Sequence, residues 1–298
     1  MTNPFPDDPD LERKALFEFE QTGADSWRTR PLPSGLLRLY GGMIVAQALD
    51  AMRLTVPDDK HAHAIHLFYQ RAGLTDRPLV LKVERDTDGR SFAQRRVAVT
   101  QDGMPIAYAM GSFQVAEEGA VHQEAMPAVA GPEGLEALPA IFARAMDDVP
   151  ARHRPFWCRR QMFEWRPVEH FPIRLATPQP AQRHFWLRTN ASVDGPLYVH
   201  QRLLTYASDT HIMQTGLRPL GIAWTDDHLQ TSSLDHAIWF HNPFRVDDWL
   251  LYALDSPVAS GARVMGAGKI FRRDGTLVAT VAQQGLARML DVVREGKI

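Results

Sequence analysis

The chain has 298 residues, of which 33 are basic and 35 acidic, so its formal charge is −2 with histidine neutral. That balance excludes nucleic-acid binding driven by bulk charge, and 45% hydrophobic with 23% charged residues excludes disordered and fibrous classes. A lone Cys158 excludes an intramolecular disulfide, and no run approaches the roughly 18 apolar residues of a membrane span.

The first eight residues are acidic and lack the basic-then-apolar order of a secretory signal. Glu295-Gly296-Lys297-Ile298 is neither a prenylation box nor a peroxisomal tail. A soluble, cytoplasmic protein is expected. Pro4, Pro6 and Pro9 precede residues 11–18, which read as a loose tail and then a short helix. Gly41-Gly42 open residues 43–52, an Ala-rich and mostly apolar run without internal Gly or Pro. It predicts a helix buried on most of its circumference, interrupted only by Asp50. Residues 78–84 suit a strand, and Gln101-Asp102-Gly103-Met104 carries a hairpin-turn signal.

Residues 117–154 change character, with several Gly and Pro and the acidic Glu117-Glu118, and read as a linker with one short helix near 138–146. A second helix is predicted over 199–214, where Leu203, Leu204, Ala207, Ile212 and Met213 form a partly apolar stripe and Gly216 offers a stop. Asp209 falls near the middle of that helix. There it is either solvated or a carboxylate that needs a compensating partner. Residues 249–254 suit a strand, and Arg273-Asp274-Gly275-Thr276 repeats the hairpin signal before the apolar alternation of 277–282 that ends at Gln283-Gln284.

These elements repeat. His63-Ala64-Ile65-His66-Leu67-Phe68 resembles His236-Ala237-Ile238-Trp239-Phe240-His241, and the Asp-Gly turns at 102 and 274 follow at nearly the same offset. Each half reads as helix, strand, strand, hairpin, which implies an antiparallel sheet wrapped on one central helix. The division is an N-terminal unit over 1–116, a linker over 117–154, and a C-terminal unit over 155–298.

Several signatures fail. There is no Gly-x-Ser-x-Gly nucleophile elbow. The glycine-rich segment 261–270 has the wrong spacing for a phosphate loop and Ile270 where Ser or Thr would hold magnesium. His61 and His63 share a face of a strand while His66 points away, so no metal site is expected. On a straight strand over 232–241, Ser233 and Asp235 face one way and His236 the other, which precludes a serine triad. Cys158, beside Arg159 and Arg160, is either a structural cysteine or an activated thiol.

Tyr40-Gly41-Gly42 with Ala46-Gln47-Ala48, residues 66–73, Asp88-Gly89-Arg90-Ser91-Phe92 with Arg95-Arg96-Val97, Ser112-Phe113-Gln114, Tyr206-Ala207-Ser208-Asp209, Leu234-Asp235-His236 with Trp239-Phe240-His241, and Gln283 with Gly285 together resemble, in that order, the acyl-CoA thioesterase II family. The likeness covers residues 30–116 and 185–290. It implies an α+β double hotdog fold and hydrolysis of fatty acyl-CoA to free fatty acid and CoA, with no metal and no bound cofactor. It also implies a catalytic set of Asp209, Ser233 and Gln283, in which Asp209 accepts a proton from water while Ser233 and Gln283 hold that water in line. Acyl-CoA is the implied partner, and a homo-oligomer, dimer or tetramer, is expected through sheet faces or edges.

The chain departs from the family at Arg71-Ala72-Gly73, where Arg-Pro-Gly is usual, so a φ constraint is lost. First-half counterparts of the trio are Asp50, Lys60, and Gly111 or Ser112, so one site per chain is expected. His66 is read as structural, and Arg95 or Arg96 is a candidate for CoA phosphates. Two other readings stay open: a hotdog hydratase acting on enoyl-CoA through Asp235 and His236, and an acyl-CoA-binding protein without turnover.

Overall fold

Residues 9–31, 37–149, 154, 161–175 and 177–291 are described by a computed structural model. Cys158 and Pro155-Phe156-Trp157, where the second half was expected to begin, lie outside the described residues. The Ala-rich run after Gly41-Gly42 forms a helix, and every residue from Gly42 to Met52 is buried. Small side chains and the absence of a polar face allow it to be surrounded on all sides.

The N-terminal half contains α1 (Pro9–Leu16), β1 (Phe19–Gly23), β2 (Ser26–Thr29), α2 (Gly41–Arg53), β3 (Lys60–Tyr69), β4 (Val80–Asp88), β5 (Phe92–Gln101) and β6 (Met104–Val115). A connecting segment carries α3 (Leu138–Arg144). The C-terminal half contains β7 (Phe163–Pro167), β8 (Gln182–Thr189), α4 (Leu197–Ser208), α5 (Ile212–Leu217), β9 (Leu229–Ser233), β10 (Asp235–Phe240), β11 (Leu250–Ser260), β12 (Arg263–Arg272) and β13 (Leu277–Met289).

Among the described residues all 13 strands belong to one antiparallel sheet in the order β1-β2-β4-β5-β6-β3-β10-β13-β12-β11-β8-β7, with β9 also on β13. The order is a palindrome about the β3–β10 pair, in which Ile65 lies opposite Ile238. This is the duplicated sheet-on-helix predicted by the repeat. The His63 and His236 segments that revealed it are the two central strands, hydrogen-bonded to each other. Both Asp-Gly turns close hairpins, β5–β6 and β12–β13.

The second helix departs from expectation. It is two helices, α4 ending at Ser208 and α5 starting at Ile212, because His211 adopts a left-handed conformation with φ +67°. Asp209 is therefore not mid-helix but caps the C-terminal end of α4. Gly216 does not stop the helix either. It lies inside α5, where a Cβ would stand 2.0 Å from Val264 Cγ2, so its role is close packing on β12. α5 ends at Leu217 and runs on into a 3-10 turn over Arg218–Leu220, which Gly221, φ +66°, terminates.

α2 and α4 pack against each other inside the sheet. Asp50 of α2, the polar interruption in the apolar run, accepts two hydrogen bonds from Arg202 Nη1 of α4 at 3.0 and 3.1 Å. Burial raises the Asp50 carboxyl against the lowering effect of Arg202. The segment after β6 crosses the outer face of the C-terminal half-sheet, where Met126, Val129 and Leu135 cover Trp186, Leu251 and Phe271. No helix among the described residues is long and apolar enough to cross a membrane.

Replacing Asp50 with Ala strands Arg202 in the helix interface and is expected to destabilise the fold by about 2–3 kcal/mol. The value lies below the roughly 3–5 of a fully buried pair because Arg202 keeps partial solvent contact. Urea unfolding checks this, and an Asp50→Leu, Arg202→Met double variant should recover most of the loss.

Candidate active site

The break after α4 aims the Asp209 side chain at the first turn of α2. Gly42 N–H donates to Asp209 Oδ2 at 2.8 Å, so a carboxylate sits on a helix N-terminus, where free N–H groups and the helix dipole favour negative charge. The two glycines are a spatial requirement. A Cβ on Gly42 would lie 2.3 Å from Tyr206 O, and one on Gly41 would lie 2.9 Å from Asp209 Oδ2 and 3.2 Å from Ser233 Oγ.

Gln283, on β13, is fully buried. Its Nε2 donates to Asp209 Oδ1 at 2.5 Å and to Ser233 Oγ at 3.0 Å. Ser233 Oγ in turn donates to Asp209 Oδ1 at 3.4 Å. The three residues singled out in the sequence thus converge from a helix cap and two strands onto one point. The N-terminal half supplies that point with the Gly42 amide.

Sequence parity was wrong around Ser233. Ser233 lies opposite Gly285 and Ala237 opposite Ala282, so β9 and β10 spend four steps where β13 spends three. The extra residue reverses the alternation. His236 consequently turns inward, toward the same side as Ser233, and is 1% exposed. It still forms no triad with Ser233 and Asp235. His236 Nδ1 meets Gln283 Oε1 at 2.6 Å and Nε2 meets Ser208 Oγ at 2.9 Å. Asp235 Oδ1 instead accepts from Gln284 N–H at 2.6 Å. The Asp235–His236 pair that a hydratase would use is therefore not made, and burial pulls the His236 imidazole below its ordinary pKa against the charge of Asp209.

Three tyrosines close the surroundings. Tyr69 O–H donates to Gly41 O at 2.8 Å, Tyr40 O–H to Tyr206 O at 3.0 Å, and Tyr252 O–H to Ser208 O at 2.7 Å. Burial, and then the charge of Asp209, hold all three phenols well above pKa 10, so they stay neutral and fix the end of α4 just before Asp209 and the first residue of α2 that faces it. Gly41, Gly42, Tyr69 and Ser208 all lay within the motifs that carry the family resemblance, but the sequence assigned Gly41-Gly42 only a helix start, gave Tyr69 and Ser208 no role, and offered no signal for the inward turn of His236.

Of the two arginine candidates for CoA phosphates, Arg95 is overturned. Arg95 is fully buried and donates to Thr55 Oγ1, Thr55 O, Thr87 O, Gln94 O and Asp88, so its guanidinium is spent inside the fold. Arg96 is exposed but paired with Glu84 and Asp86. His63 Nε2 contacts Ser112 Oγ at 2.8 Å, and His66 stands edge-on to Trp239.

Residues 29–114 match a family model described as acyl-CoA thioesterase N-terminal domain, and residues 159–286 one described as acyl-CoA thioesterase. Acyl-coenzyme A thioesterase 8 of Homo sapiens is 35% identical over 292 residues, covering 95% of this chain and 91% of that protein. Acyl-CoA thioesterase 2 of Haemophilus influenzae is 33% identical over 254 residues, covering 85% and 89%. The crystal structure of acyl-CoA thioesterase II TesB2 from Mycobacterium marinum matches with a TM-score of 0.76 at 32% identity over 94% of this chain and 99% of that one. A hot dog fold protein from Alicyclobacillus acidocaldarius, at 17% identity and a TM-score of 0.74 over 93% of this chain and 98% of that one, supports the fold alone. The architecture is a double hotdog, and the protein is a thioester hydrolase by kinship. It belongs to the acyl-CoA thioesterase family.

His211, the left-handed residue that creates the helix break, stacks on Phe185 at 4.2 Å and is 2% exposed. Burial, with a contribution from the charge of Arg183, lowers its pKa to about 3. The native ring is thus neutral where the unfolded ring, near its ordinary pKa of about 6.5, takes up a proton. His211 costs nothing above that pH and lowers stability by about 1.4 kcal/mol per unit as the pH falls from there toward 3. Urea midpoints measured between pH 7.5 and 4.5 should fall accordingly, and His211→Asn, which tolerates positive φ, should flatten the slope.

Proposed function

We propose that the protein hydrolyses fatty acyl-CoA to free fatty acid and CoA by direct attack of a water activated by Asp209 and positioned by Ser233 and Gln283. The observation that carries this reading is the Asp209 carboxylate held by Gly42 N–H and Gln283 Nε2 at the N-terminus of α2. Gln283 and Ser233 both contact Oδ1. A water beside this cluster would give a proton to the carboxylate as its oxygen attacks the thioester carbonyl carbon.

The C–O bond forms and negative charge develops on the carbonyl oxygen. The first-turn N–H groups and dipole of α2 favour charge at that end of the helix without reorganising. Collapse breaks the C–S bond, and the proton held by Asp209 passes to the departing thiolate. No covalent acyl-enzyme enters the sequence. In this reading residues 1–116 and 155–298 form the two hotdog units joined by 117–154. One site per chain lies between them, with the carboxylate from one unit and its helix N-terminus from the other.

Free-thiol release from a panel of acyl-CoA esters, short to long, tests the reading with Asp209→Asn beside the wild type. Loss of about two orders of magnitude in kcat is expected, the size typical of removing a catalytic base. An unaffected rate would mean that Asp209 is not the base. Bound esters with no thiol released by the wild type would favour a binding protein over an enzyme.

A further inference from the structure

We infer that His236 is a positioning residue: its Nδ1–H fixes which way round the Gln283 amide sits and keeps the amide N–H bonds aimed at Asp209 and Ser233 throughout turnover. The inference rests on the catalytic reading of Asp209, Ser233 and Gln283 above.

An amide has a donor end and an acceptor end of nearly equal shape, and only its partners decide the orientation. Nε2 of Gln283 lies 2.5 Å from Asp209 Oδ1 and 3.0 Å from Ser233 Oγ, while Oε1 lies 2.6 Å from His236 Nδ1. An ionised Asp209 can only accept, so it selects this orientation by itself. That selection lapses once Asp209 has taken the proton from water, because a neutral carboxyl can donate to a carbonyl as well as accept from an N–H. A flipped Gln283 would then present its oxygen to the protonated acid and hold back the proton that the leaving thiolate needs.

His236 supplies the bias that persists. Gln283 Oε1 can only accept, so the nitrogen facing it must carry hydrogen. On the far side Ser208 Oγ lies 2.9 Å from Nε2 and 2.8 Å from Thr205 O. A neutral ring carries one hydrogen, so with Nδ1 protonated Nε2 is the acceptor and the Ser208 hydroxyl turns its hydrogen to the ring rather than to Thr205 O. His236 and Ser208 are each 1% exposed and Gln283 is fully buried, so water has no place from which to substitute for either partner. The backbone slip between β9 and β10 is what brings the ring to this position, since a straight strand would have turned it away.

Two substitutions separate orientation from packing. Asn at 236 can place an N–H near the Nδ1 position while leaving a void. Leu fills the space without a donor. His236→Leu is expected to lower kcat by about 10- to 50-fold with KM changed less than about 3-fold, less than the roughly 100-fold or more lost with a donor that itself meets the transition state, because His236 acts through Gln283. His236→Asn should recover kcat to within about 3-fold of wild type although it packs less well. In a Gln283→Ala background His236→Leu should cost nothing further, since the group it orients is gone.

A purely structural role would make Asn as damaging as Leu and the two losses additive, and either result overturns the inference. If the Leu variant does not fold, His236→Gln, which reaches toward Ser208 rather than Gln283, takes its place and must show the same fall in kcat. Asp209→Asn runs alongside. An inactive Asp209→Asn with a fully active His236→Leu overturns only the positioning role, whereas an active Asp209→Asn removes the catalytic reading beneath it.

Discussion

The contact between the Asp209 carboxylate and the first turn of α2 organises the rest of the molecule. A half-buried negative charge has to be met by fixed donors, and here these are the Gly42 amide, Gln283 and Ser233. To bring them together, the chain breaks a helix at His211, leaves two glycines where any side chain would collide, and slips a strand by one residue after Ser233. Each of these local irregularities costs stability, and each has a neighbour that stabilises it. His211 stacks on Phe185, and the tyrosine hydroxyls tie down Gly41, Tyr206 and Ser208.

Duplication supplies the scaffold, and asymmetry between the copies supplies the site. The palindromic strand order gives both halves the same sheet, yet polar groups are invested differently in each. In the N-terminal half Asp50 is turned onto Arg202 to join the two central helices, and Gly111 faces Met52 without a side chain of its own. Arg95 ties the end of α2 to β4 and β5. Those interactions belong to stability. The C-terminal half keeps its carboxylate, hydroxyl and amide for one another, and the N-terminal half contributes a helix end to them.

The repeat was legible because the central strands kept similar residues in similar order, and the trio was legible because its motifs did. What escaped was irregular backbone. Strand parity assumes an uninterrupted pleat, and β10 follows a one-residue slip. β3 carries a comparable slip between Ala62 and Ala64, where the histidine faces had also been assigned by alternation. The apolar stripe through 199–214 spans α4 and α5 as though they were one helix, because a single left-handed residue leaves the pattern of Leu203, Leu204, Ile212 and Met213 intact. Arg95 looked available for phosphate because composition records charge and not its partners. Its five acceptors are scattered over residues 55 to 94 and most are backbone or neutral groups.

The central claim is that water, and not a protein side chain, attacks the thioester. The most direct measurement mixes enzyme with a slight excess of acyl-CoA, quenches on the millisecond scale, and reads free CoA together with the intact mass of the protein. Direct attack predicts CoA appearing in step with free acid, without a burst, and protein of unchanged mass at every time point. A stoichiometric burst of CoA accompanied by protein heavier by one acyl group would contradict the account.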